Sequence, residues 1–353
     1  MDGEITEVFD HYIYNIIAAF YIIIMLATIV LNGIVIATFH KVRSLLTSAS
    51  FPILSLAVAD CLLAVTAMPL GIAANTSRRW FLGDVGCNWY AFSHTVVGLS
   101  SILHHAVIAV EAWRRIVQAM KTSGTGKRGM ITIILVVWGV VITWGCMPLF
   151  SWSSYVPEGS GAVCSINWKS AQPADISYVI CTFVLFLFVP VIVIIASYAA
   201  ISHDLQMMAE QTQKNVGRNA QMTVARLAAK KKSVWTGVIM FVAAFFVWIP
   251  YAVVSFISAV EKPLKLPAVT FAITAMFAKT FAFINPIICF FWYKKFRDGT
   301  KKLLGISQNL VFPLAAILRK TTVTAYVNED VKNQTFEESA HVGRPPIPVA
   351  GRQ

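Results

Sequence analysis

The chain has 353 residues, of which 57% are hydrophobic and 13% charged, and its mean hydropathy is +0.67. That much apolar surface excludes a soluble domain of this length and points to an integral membrane protein. Its 29 Lys and Arg against 17 Asp and Glu leave a net charge of +12. The basic residues fall in the connections between apolar runs, which is topology information and not a nucleic-acid footprint.

The first ten residues are acidic and the first apolar run is long enough to span and stay, so no cleavable signal is expected. Apolar runs lie at about 14–39, 49–74, 86–113, 130–150, 176–201, 233–259 and 267–292. The first connection carries His40, Lys41 and Arg43, and the third carries Arg114, Arg115, Lys121, Lys127 and Arg128. The fifth carries Lys214, Arg218, Arg226 and Lys230, and Lys294, Lys295, Arg297, Lys301 and Lys302 follow the seventh run. The other loops hold fewer, mixed charges. Positive-inside topology therefore puts the N-terminus outside and the C-terminus in the cytoplasm of a multi-pass cell-membrane protein. The segments expected are 1–13 as an outer N-terminus, 14–304 as the membrane domain and 305–353 as a flexible cytoplasmic tail. The tail holds Thr321, Thr322, Thr324, Thr335 and Ser339 as phosphorylatable sites.

Cys61, Cys146, Cys181 and Cys289 fall within runs and read as packing residues. Cys87 and Cys164 face the oxidising side and are the pair expected to be bridged. The sequon Asn75-Thr76-Ser77 at the outer end of the second run is a glycosylation candidate, close to the bilayer. Tyr293 to Leu304, basic residues with Phe296, Leu303 and Leu304, suits a short interfacial helix.

Lys279 stands in the middle of the last apolar run. A charged ammonium there costs roughly 2.5–3.5 kcal/mol even on a lenient insertion scale. About twelve residues, or ~18 Å of helix, separate it from either end, so it cannot snorkel to water. Desolvation pushes such a lysine toward a neutral, nucleophilic amine, the group that forms a Schiff base with an aldehyde.

The internal motifs carry a resemblance. Asn32, the stretch Leu56-Ala57-Val58-Ala59-Asp60, Trp80, Cys87, Trp138, Pro190, Trp248-Ile249-Pro250-Tyr251 and Asn285-Pro286 are similar in type and spacing to those of rhodopsin-type G-protein-coupled receptors. The resemblance covers about 14–304. It implies an all-α integral membrane fold, a seven-transmembrane-helix bundle with a short amphipathic helix after the seventh span. Ala278-Lys279 seven residues before Pro286, and Trp152 to Gly159 with Cys164 five residues on, resemble the opsins in particular.

In opsins the lysine binds retinal, which makes retinal the implied cofactor. Visual opsins of vertebrates place a glutamate counterion where this chain has Tyr90. Glu158 matches the outer-loop glutamate and is the remaining counterion candidate, while Tyr90 offers a hydrogen bond without charge. The resemblance also implies that Trp248 and Tyr251 contact the chromophore, that Gly98 makes room for its ring, and that Ile166 and Trp168 cap the pocket. His94 is expected to face the same cavity and to tune the Schiff-base region. Asp60, Asn32, Ser101 and Asn285 match a polar network that holds waters or a sodium ion, with Asp60 and Ser101 as the sodium ligands. His104 and His105, in an apolar part of the third run, have no counterpart in this reading.

The cytoplasmic motifs depart from the family. The Asp/Glu-Arg-Tyr triplet reads Glu111-Ala112-Trp113, leaving Arg115 as a partial substitute one turn on. Lys230 stands where many receptors have a glutamate, and Cys289 replaces the tyrosine after Asn285-Pro286. Two readings follow. One is a light-sensing receptor with atypical coupling to a heterotrimeric G protein and arrestin. The other is a retinal photoisomerase, an enzyme of the retinochrome kind. A light-driven pump of the microbial type would lack the outer disulfide, Trp-x-Pro-Tyr and Asn-Pro. The bilayer and retinal are partners in either remaining reading, and nucleic acid is not.

Overall fold

The computed structural model describes residues 9–117, 125–214, 218–260 and 266–306. The elements below all lie in the compact unit that ends at Leu304. Seven helical stretches among the described residues are long and apolar enough to cross a membrane, from 24 to 39 residues each. About 20 residues suffice for a ~30 Å hydrocarbon core. The chain is a multi-pass membrane protein with the expected seven spans.

Span one is α1 (His11–Lys41), which starts three residues before the apolar run. Span two is α2 (Phe51–Thr66) followed by α3 (Met68–Thr76). The two part at Ala67, because Pro69 has no N–H to continue the ladder. Span three is α4 (Gly83–Val117) and span four begins with α5 (Lys127–Cys146). Span five is α6 (Pro173–Phe183), a π-helical turn at Val184–Phe188, and α7 (Val189–Lys214). Pro190 lies just beyond that widened turn, which absorbs the missing donor. Span six is α8 (Arg218–Val260), carrying Pro250. Span seven is α9 (Ala268–Lys279) and α10 (Phe281–Trp292), parted at Thr280 immediately after the lysine.

Large apolar side chains such as Ile23, Leu135, Ile192 and Phe246 point outward, whereas Asn32, Asp60, Ser100, Ser101, His104, His105 and Asn285 are buried. This distribution suits lipid outside and a polar seam inside. Helix α4 runs through the centre and packs on α2, α5, α7 and α8. His104 has a structural role there: its Nδ1 lies 2.7 Å from the Ser100 carbonyl and its Nε2 3.1 Å from Ser55 Oγ. Ser55 also accepts from Trp138 Nε1 at 2.9 Å, so His104, Ser55 and Trp138 tie three helices together.

One end of the bundle is closed by a hairpin of β1 (Tyr155–Glu158) and β2 (Val163–Ile166), antiparallel with Pro157 opposite Cys164. The Cys87–Cys164 disulfide fastens it to α4 as expected, and the other four cysteines are free. Its turn uses Gly159 and Gly161 at positive φ, +59° and +75°, a conformation that side chains resist. Tyr14 donates to the Ser160 carbonyl, 3.2 Å, and the Trp80 N–H to the Gly161 carbonyl, 2.8 Å. The sequon expectation is corrected at this end. Asn75 is 1% exposed and its Nδ2 donates to the Gly71 carbonyl at 2.8 Å, so its amide faces the bundle and not the surface.

At the opposite end α11 (Lys294–Leu303) is the expected amphipathic helix. Phe296 is buried with its ring 5.7 Å from that of Phe39, and Thr300 hydrogen-bonds Thr38 at 3.1 Å. The side chain of Lys230 and the tail sites from Thr321 to Ser339 lie outside the described residues.

Candidate functional site

A cavity opens between α4, α6, α8, α9 and the hairpin. Phe183, Phe186, Leu187, Trp248 and Phe281 give it an apolar wall, and Lys279 and Glu158 are its charged lining residues. This is the composition of a pocket for a mostly hydrocarbon ligand fixed at one end. Lys279 reaches it because it is the last residue of α9, where the helix breaks.

Glu158 ends β1, so the hairpin carries it over the cavity, and it is 9% exposed. Its Oε1 accepts from the Tyr251 hydroxyl at 3.1 Å, and that hydroxyl accepts from Trp168 Nε1 at 3.0 Å. Burial pushes the Glu158 carboxyl above the ordinary glutamate value, against the pull of the Lys279 charge, of hydrogen bonds from Tyr251 and Ser165, and of Lys169. Glu158 is not in an ion pair with Lys279, unlike Glu111 with Arg115. The chain Trp168–Tyr251–Glu158 thus holds the carboxylate near the amine without touching it.

Ile166, Trp168, Trp248, Tyr251 and His94 all line the cavity. His94 Nδ1 lies 2.9 Å from the Tyr90 carbonyl, while its Nε2 is buried without a partner among the described residues. Two expected residues do not border the open space. Gly98 does not line the cavity; a Cβ built on it would lie 2.8 Å and 2.9 Å from indole carbons of Trp248, so the space it leaves is taken by that indole. Tyr90 does not line it either. Its ring centroid is 5.8 Å from Lys279 Nζ, the residue is 1% exposed, and its hydroxyl makes no well-formed hydrogen bond.

Sequence reasoning missed Tyr21, 4% exposed, whose ring centroid is 5.5 Å from Lys279 Nζ. It missed Phe183 and Phe186 as well. The two are three residues apart and share one face of span five, where it passes into the π-helical turn.

Deeper in the bundle the expected polar network does not close through direct contacts. Asn32 Nδ2 donates to the carbonyls of Ala282, 2.7 Å, and Thr28, 3.0 Å. Both Asp60 oxygens and both Asn285 side-chain atoms are buried without protein partners among the described residues, and Ser101 is buried nearby on α4. His105 Nδ1 donates to the Ser101 carbonyl, 2.7 Å, and its ring faces Asn285.

At the end opposite the hairpin, Arg115 Nε donates to Glu111 Oε1 at 2.7 Å, and its Nη2 reaches Ser48. Ser48 also donates to Glu111 Oε1, 3.1 Å. Arg115, the expected partial substitute for the missing arginine, thus has its guanidinium engaged by Glu111 and Ser48. Ala112 instead borders an apolar cluster of Ile116, Ile201, Leu205 and Val234. Cys289 is buried against Met240 and Ile288.

The model of the 7 transmembrane receptor (rhodopsin family) matches residues 31–289. The chain belongs to that family. Among its relatives, a melanopsin of Rutilus rutilus is 28% identical over 307 residues, 87% of this chain and 61% of that protein. A human melanopsin is 30% identical over 313 residues, 84% of this chain and 65% of that protein. The chain therefore spans less than two thirds of the length of these melanopsins. The crystal structure of squid rhodopsin has the same fold, with a TM-score of 0.80 at 24% identity over 89% of this chain and 92% of that one. These matches agree with the opsin resemblance within the rhodopsin family.

Proposed function

We propose that this rhodopsin-family receptor is a light-sensing opsin that carries retinal as a protonated Schiff base on Lys279. The observation that carries the reading is the Lys279 amine at the edge of an aromatic cavity whose lining also includes the buried Glu158. The fit is chemical: one amine suits one aldehyde, and the remaining wall suits a polyene. Bound retinal supplies visible absorption and a double bond that isomerises in light.

The chain's own residues do the rest. Trp248, Phe183 and Phe186 confine the hydrocarbon. Glu158 offsets the positive charge on the lysine, and Trp168 and Tyr251 orient that carboxylate. The hairpin, tied down by Cys87–Cys164, keeps water from the linkage. In this reading the N-terminus, 1–13, is outside, 305–353 is a cytoplasmic tail, and the protein has no catalytic turnover. Heterotrimeric G protein and arrestin would meet the end that carries Glu111, Arg115 and α11. The melanopsin relatives favour the receptor over the photoisomerase.

The test is to add 11-cis and all-trans retinal separately to purified protein, illuminate it, and extract the isomers. A visible band absent in Lys279→Ala, with light-dependent nucleotide exchange on a G protein, is the expected result. No visible band with either isomer would overturn the reading. Net formation of 11-cis from all-trans retinal without nucleotide exchange would replace the receptor by the photoisomerase.

A further inference from the structure

The Lys279 amine is flanked by a pair of aromatic rings. Its Nζ lies 5.5 Å from the ring centroid of Tyr21 and 5.8 Å from that of Tyr90. Both distances are within the reach of about 6 Å over which a ring face attracts a cation. The two rings come from α1 and α4, are 4% and 1% exposed, and have hydroxyls that face each other.

Their placement is built, not incidental. A Cβ on Gly71 would come 2.9 Å from Tyr90 Cε2, so the ring lies against α3 only because position 71 is glycine. His94 and Trp80 pack on the same ring with centroids 4.3 Å and 5.5 Å away. The titratable groups around the amine are Tyr21 from α1, Tyr90 and His94 from α4, Glu158 from β1 and Tyr251 from α8, with Lys169 beyond Glu158. Glu158, the carboxylate among them, is beyond ion-pair distance and engaged by Tyr251.

We propose that Tyr21 and Tyr90 form an aromatic clasp whose ring faces stabilise the positive charge on Lys279, with Glu158, beyond ion-pair distance, as a second compensating group. This rests on the reading of Lys279 as the retinal anchor. The clasp makes Tyr21 and Tyr90 positioning residues, acting through their π faces and not their hydroxyls. It also accounts for a lysine site without an adjacent acid on α4.

The test is a spectral titration of the pigment, which reads the Schiff-base pKa. Tyr21→Phe and Tyr90→Phe keep the ring and should titrate as the parent does. Tyr21→Leu and Tyr90→Leu should each lose about tenfold in the protonation equilibrium, a shift of about one pH unit downward. Where a leucine variant does not assemble, fluorinated phenylalanines at the same position keep its shape while withdrawing ring electrons. Each added fluorine should then lower the pKa further. In retinal-free protein, reductive methylation of Lys279 should move to lower pH in the leucine variants. Leucine variants that titrate with the parent, phenylalanine variants that fall as far as leucine, or no trend with fluorine would each overturn the clasp. A parent protein with no visible band would instead overturn the retinal reading itself.

Discussion

Trp248 occupies the space that Gly98 leaves empty, with indole carbons 2.8 Å and 2.9 Å from where a Cβ on residue 98 would sit. α4 and α8 can therefore approach at the cavity only while residue 98 has no side chain. Any larger residue must push the indole toward the cavity or push α8 outward. Gly98→Ala should cost about 1–3 kcal/mol as an overpacking substitution. Gly98→Leu should in addition slow or abolish retinal uptake. Thermal unfolding of the detergent-solubilised protein and the rate of pigment formation check the two parts. Parent-like values for both variants would show that the indole moves freely.

The pH response should come from Glu158. Burial raises its carboxyl above the ordinary glutamate value, so on acidification it loses its charge at a higher pH than a free glutamate would. Above that transition the carboxylate supports the cation on Lys279, and below it the support is gone. The pigment spectrum should therefore show an acid-side transition that Glu158→Gln lacks. On the alkaline side, Glu158→Gln should move Schiff-base deprotonation to lower pH, because only the charged form of the lysine linkage loses stabilisation. Absorbance recorded across the pH range in both proteins decides it, and identical curves would remove Glu158 from the role.

Glu111 is 2% exposed and Arg115 is its cation, one helical turn away at 2.7 Å. Arg115→Met removes the cation and strands a buried carboxylate, so it should destabilise by about 1–3 kcal/mol. Glu111→Gln in the same background should recover part of that loss, since no buried charge remains. A double-mutant cycle by thermal unfolding measures the coupling. Additive single effects would mean that the pair contributes nothing.

The spans, the disulfide and Lys279 were legible in the sequence because each rests on a one-dimensional signal: a long apolar run, a cysteine on the oxidising side, a charge with no route to water. Tyr21 carried no such signal. It is one aromatic in an apolar helix, and only the packing of α1 shows that its ring turns to span seven. Gly98 was read as room for the chromophore ring, and sequence could not say that Trp248 fills that space. Asn75 matched a surface motif although its amide is turned to a carbonyl inside the bundle, since three residues cannot report which face of a helix they occupy. Arg115 had the right charge one turn from the missing arginine, and its direction was set by Ser48, more than 60 residues away in sequence.

Asn32 and Pro286 form a compensating pair across spans one and seven. Pro286 has no N–H, which leaves the carbonyl of Ala282, four residues earlier, without its helical donor. Asn32 Nδ2 supplies one at 2.7 Å. In a membrane no water replaces it, so Asn32→Ala should destabilise by about 1–3 kcal/mol. Replacing the proline tests whether this is the reason. Pro286→Ala restores a backbone donor to Ala282, and in that background Asn32→Ala should cost clearly less. An equal cost of Asn32→Ala with and without Pro286, measured by thermal unfolding of the four proteins, would assign the role of Asn32 to its other bond, at the Thr28 carbonyl.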